Sequence, residues 1–109
     1  MIDATALHQD HFGTAADVKV RAPGRINLIG DHTDYCGLPV LPMAVQQAIQ
    51  VAASRGDRPG LHAVSSLDGR AIGSDSGPDP GWAKYVRAVF AEIRLLAPDA
   101  AVRLAIDGN

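Results

Sequence analysis

Between Gly30 and Tyr35 the chain reads Gly-Asp-His-Thr-Asp-Tyr, which sets two carboxylates, an imidazole and a phenol within six residues. Arg25 stands six positions before the first carboxylate, Asp31. A cluster of this kind is costly to bury unless its polar groups find partners. A polyhydroxylated ligand would supply them. Each carboxylate offers two acceptor oxygens, and a pair of neighbouring hydroxyls can donate to both. Asp31 and Asp34 are the candidates for that grip, and His32, which can donate or accept, is the candidate for a third hydroxyl. Arg25 brings a planar fork of donors that suits phosphate oxygens. Beside a transferred phosphoryl group it would offset developing negative charge.

Each of these residues has a plainer reading. In a solvated loop the two aspartates would serve as turn and cap residues. His32 and Asp34 could begin a metal site, but a third ligand at useful spacing is lacking. Arg25 could pair with Asp31 or Asp34 and only hold the segment. Elsewhere, His8 and His11 read as exposed residues of an N-terminal helix. Cys36 reads as an incidental thiol, since nothing adjacent marks it as a nucleophile. Ser65-Ser66 lacks the G-x-S-x-G frame of a nucleophile elbow. Neither GxxxxGK[ST] nor GxGxxG occurs.

Residues 31, 32 and 34 could not all face one way in an extended strand, because side chains alternate. Gly30 and Gly37 imply a loop that lets them converge. The flanking elements must hold that loop. Val18, Val20 and Ala22 alternate with Lys19 and Arg21 and predict a strand, which Pro23-Gly24 should break. Ile26 to Ile29 is a second short apolar run. After the cluster, Val40 to Val45 is apolar, and Val45 to Ser54 fits a strand or a helix equally. Leu61 to Ser66 and Arg70 to Ile72 read as a hairpin around Asp68-Gly69. Trp82 to Ala97 is the clearest helix, with Trp82, Tyr85, Val86, Val89, Phe90, Ile93 and Leu96 in one apolar stripe. Asp79 should cap it, Pro98 should end it, and Trp82 and Tyr85 should be core. Asp3 to Gly13 predicts a short first helix with Asp3 as N-cap. Val102 to Ile106 predicts a last strand, with a turn beginning at Asp107-Gly108.

The whole chain has 109 residues, enough for one domain with a modest core. Its hydrophobic fraction of 47% and charged fraction of 20% are globular values. The net charge of −2 and scattered basic residues give no footprint for nucleic acid or an anionic membrane. One cysteine excludes an internal disulfide and fits a reducing compartment. The N-terminus does not read as a signal peptide, and no apolar run is long enough to span a bilayer. A cytoplasmic protein is the expectation.

The run RAPGRINLIGDHTDY followed by GLPVLPMA resembles the galactokinase signature of the GHMP small-molecule kinases. The Ala-Pro-Gly-Arg turn, Asn27, Gly30, His32 to Tyr35 and Leu41-Pro42-Met43 all agree with it. Trp82-Ala-Lys-Tyr85-Val86 resembles the helix that follows in galactokinases, so the likeness runs from about Val18 to Asn109. Many galactokinases carry glutamate where this chain has Asp31, which keeps the carboxylate but draws it back by one methylene.

The resemblance implies an α+β fold, the first part of a GHMP kinase N-terminal domain, with a mixed or antiparallel sheet and a packed helix. It implies transfer of the γ-phosphate of ATP, with Mg2+, to the anomeric hydroxyl of galactose. Asp31, His32 and Asp34 would bind sugar hydroxyls, and Arg25 would lie beside the anomeric oxygen. In this family a Gly/Ser-rich loop that cradles the nucleotide phosphates follows the strand that Val102 to Ile106 resembles. The family's aspartate base lies further on. Residues 1–109 are therefore expected to form an N-terminal galactose-binding part, cut before the ATP-binding loop and inactive alone. A non-catalytic sugar-binding or sensing module and an inert remnant are the alternatives. The expected partner is a small-molecule sugar, with oligomeric state left open.

Overall fold

The computed structural model describes residues 3–29, 37, 41–73 and 78–108. The first helix, α1 (Ala4–Phe12), forms where its caps dictate. The Asp3 carboxylate accepts from the Ala6 N–H at 2.8 Å, satisfying one of the orphan donors of the first turn. Gly13 ends the helix in the left-handed region at φ 74°, a conformation that costs glycine little.

Two long strands follow, β1 (Val18–Ile29) and β2 (Leu41–Arg55), paired antiparallel. Pro23-Gly24 does not break β1 as expected; the strand runs through it, with a register shift between Pro23 and Arg25. Proline is tolerated because β1 is an edge strand, where a missing N–H need not leave a ladder bond unmade. The ambiguous stretch from Val45 to Ser54 is strand. It is hydrogen-bonded on both sides, to β1 and to the last strand, and that pairing overrides its helical periodicity.

The shorter strands β3 (Gly60–Ser65) and β4 (Ala71–Ile72) form the expected hairpin. Gly69 at φ 69° and the Arg70 N–H donating to Asp68 Oδ1 at 2.9 Å shape its turn. The second helix, α2 (Ala83–Leu96), leads into β5 (Ala101–Gly108). The sheet order is β1-β2-β5-β3-β4, with β5 antiparallel to β2 and parallel to β3. The last strand in sequence is thus the middle one in space. Asp107 and Gly108 do not begin a turn; they extend β5 against Gln50 and Ile49 of β2.

The helices lie on opposite faces. Ala63 and Leu104 pack in the cluster with α2, whereas their chain neighbours Val64 and Ala105 pack in the cluster with α1, as alternation along strands requires. On the α1 side, Ala4, Ala52 and Ala105 are all fully buried. Their small side chains let the helix approach the sheet closely. His8 is fully buried there too, not exposed as the sequence suggested. Its Nδ1 faces the Thr14 carbonyl at 2.9 Å and its Nε2 faces Ser54 Oγ at 2.7 Å. A carbonyl only accepts, so Nδ1 donates and Nε2 is left to accept from the hydroxyl.

On the other side, Ala83, Phe90, Trp82 and Val86 of the α2 region meet Leu61, Ala63 and Ile72. Asp79 does not cap α2. Its two carboxylate oxygens accept from Arg87 Nε at 2.6 Å and Nη2 at 2.9 Å, and no side chain caps the helix at Trp82. Trp82 is half-buried, with Nε1 donating to the Asp68 carboxylate, but Tyr85 is 68% exposed and not core. Val89 and Ile93 are also exposed, at 62% and 42%. Between α2 and Ile49, Val51 and Ile106 of the sheet lies an open apolar groove of about 520 Å³.

Candidate functional site

The chemistry-bearing segment is carried by the β1–β2 hairpin. Ile29 pairs with Leu41, so adjacent strands fix both ends of the stretch from 30 to 40. Asp31, His32 and Asp34 lie outside the described residues, as does Cys36. Within that stretch Gly37 is described, at φ 76°.

Arg25 is described. It is exposed on β1 opposite Ala44, directly after the register shift. The shift explains the local sequence. Across it, three residues of β2 (Val45, Gln46, Gln47) face one residue of β1, Gly24. A Cβ on Gly24 would lie 3.1 Å from Val45 Cγ2 and 3.4 Å from the Gln47 carbonyl oxygen. Any larger residue here would have to push the Val45 methyl aside by a few tenths of an ångström, and Pro23 stiffens the residue before it. Arg21 pins the bulged side, its Nη2 donating to the Gln46 carbonyl at 2.7 Å. The function of Arg21 was not foreseen; only its four-residue spacing from Arg25 hinted that the two arginines flank one irregularity.

Two residues further, Asn27 sits opposite Pro42. Its Oδ1 is buried without a hydrogen-bond partner among the described residues, as is Oε1 of Gln50. Buried acceptors of this kind are uncommon, and Asn27 places one on the strand that leads into the acidic segment.

Among the described residues no group of three or more His, Cys, Asp or Glu converges as a metal site. Nor do the described residues present a glycine-rich strand-to-helix turn whose amides could cradle a polyphosphate. They thus do not fit ATP or Mg2+. Among the described residues no helix is long and apolar enough to cross a membrane.

Residues 6–55 match the family model described as the galactokinase galactose-binding signature, a span that runs from within α1 to the end of β2. A galactokinase of Roseiflexus sp. (strain RS-1) is 40% identical, the alignment covering 86% of this chain and 26% of that protein. The crystal structure of Lactococcus lactis galactokinase complexed with galactose superposes with a TM-score of 0.70 at 27% identity, over 95% of this chain and 29% of that one. The mixed α+β sheet and its long signature-bearing hairpin match the corresponding part of that galactokinase. This is a galactokinase-like chain, and residues 6–55 carry the galactose-binding signature of that family. It spans about a quarter of the length of the curated relative.

Proposed function

We propose that this chain provides the galactose-binding part of a galactokinase. In that reaction the anomeric oxygen of galactose forms a bond to the γ-phosphorus of ATP. The bond from that phosphorus to ADP breaks, and the hydroxyl gives up its proton. Asp31, His32 and Asp34 hold sugar hydroxyls, with the carboxylates as paired acceptors. Arg25 stands beside the anomeric oxygen and offsets charge as the phosphoryl group passes. The observation that carries this reading is the signature match over residues 6–55, borne by a hairpin whose fold matches a galactokinase crystallised with galactose. In this reading the 109 residues supply the sugar side of the reaction and do not transfer phosphate alone. The site of action is the cytoplasm.

A sugar-binding module without kinase activity is the second reading. It is supported by the family match over residues 6–55, whose description names galactose binding and not phosphate transfer. Calorimetric titration with galactose, beside glucose and an Asp34→Asn control, tests both. Galactose-selective heat that vanishes in the control is the expected result. Incubation with Mg-ATP and galactose should then give no sugar phosphate, since turnover would contradict the assignment of phosphate transfer to other residues. No heat from a folded chain would overturn a preformed sugar site.

A further inference from the structure

A second polar pocket lies at the other end of β2 from the Ile29–Leu41 pair, where α1 ends and β2 gives way to β3. It has a volume of about 390 Å³ and is lined chiefly by His11, Phe12, Asp57, Arg58, His62 and Arg103. These residues come from four places in the chain. His11 and Phe12 close α1, Asp57 and Arg58 lie between β2 and β3, and His62 and Arg103 are register partners on adjacent parallel strands. We propose that this pocket binds a phosphate group, either free phosphate or a phosphomonoester. The proposal does not depend on the galactose reading.

Three observations carry it. First, the charge balance inverts here. The chain has 12 acidic and 10 basic residues, yet the pocket brings two arginines together with one carboxylate. Second, its main donor is held in place. The Arg103 guanidinium lies over the Phe12 ring at 5.8 Å, and His11 meets the same ring edge-on at 4.7 Å. Arg103 Nη2 donates to Asp57 Oδ2 at 2.8 Å. The Arg103 side chain is only 20% exposed and that of Asp57 is 85% exposed. Asp57 is thus a solvated counter-ion on a bend that an entering dianion can displace, whereas Arg103 stays. A guanidinium has five N–H donors in a planar fork, and the described bond to Asp57 uses one of them. Third, His62 is brought in by a close backbone approach: a Cβ on Gly73 would lie 3.0 Å from His62 Nδ1. The result is two guanidinium groups and two imidazoles around one cavity, donors whose number and geometry suit phosphate oxygens.

The test is a titration of the chain with inorganic phosphate at constant ionic strength, with sodium chloride as the control salt and glycerol phosphate as a second arm. Histidine ring resonances are followed by NMR. Saturable shifts of His11 and His62 are expected, with His8 unmoved because both its ring nitrogens are engaged elsewhere. Arg58→Gln, on an exposed bend, should weaken binding about ten-fold. Response to both ligands assigns the site to the phosphate group itself, and response to glycerol phosphate alone assigns it to an ester. Shifts that match those in chloride, or binding unchanged by Arg58→Gln, would overturn the proposal.

Discussion

His8 ties the first helix to β2 through Ser54 and to the segment after the helix through the Thr14 carbonyl. Removing its ring would take the hydrogen-bond partner from the Thr14 carbonyl and the Ser54 hydroxyl and open a cavity between α1 and β2. His8→Ala should therefore destabilise the chain by about 2–4 kcal/mol, read from urea unfolding, whereas His11→Ala, at an exposed position, should change stability little. Equal effects of the two substitutions would contradict the buried role. This residue also shows what a sequence hides. His8 and His11 look alike along the chain, and only the tertiary position of α1 decides which of them is interior. Arg25 stands on β1 opposite Ala44, beyond a bulge where Pro23-Gly24 predicted a break in the strand. Asp31, His32 and Asp34 were singled out for their residue types alone, and they lie outside the described residues.

At the scale of elements, the type of nearly every segment could be read, and the errors share one cause. Pro23-Gly24, the stretch from 45 to 54, and Asp107-Gly108 were misjudged or left open because their conformation is set by a strand alongside. β2 takes partners on both edges and extends; β5 runs on because Gln50 and Ile49 remain available to it. The start of α2 was misjudged differently. Asp79 was expected to accept from a helix N–H, but Arg87, one charge-assisted fork away, wins it. That hydrogen bond, with the attraction of the Arg87 charge, holds the Asp79 carboxyl below the usual carboxylate range. A depressed pKa contributes stability above the unfolded value and loses it as pH falls through the folded one. Asp79→Asn should therefore melt at a lower temperature than the parent near neutral pH. The gap should close as pH drops through and below about 4, the ordinary carboxylate range. Salt should narrow it as well, because the pair is partly exposed. A gap that is independent of pH, followed by circular dichroism, would assign the effect to helix propensity instead.

For the whole molecule, the decisive feature is the half-docked helix. The apolar stripe from Trp82 to Leu96 was plain in the sequence; that only its first part reaches the sheet was not, since periodicity reports a face and not what meets it. Contiguous apolar surface of this kind favours association. In sedimentation velocity the chain should form dimers or larger species as its concentration rises, and Val89→Glu with Ile93→Glu should return it to monomer while leaving the α1 face intact. A parent chain that stays monomeric throughout would refute this. The sheet order has a consequence for synthesis. As the chain leaves the ribosome, the β1–β2 hairpin and the β3–β4 hairpin both appear before the strand that joins them. Until β5 is made, the inner edges of β2 and β3 remain open, each a row of unpaired amides and carbonyls able to capture a stray strand from another nascent chain. The strand that joins the two hairpins therefore closes both of those edges at once, and the pace of translation through residues 101–108 sets how long they stay open.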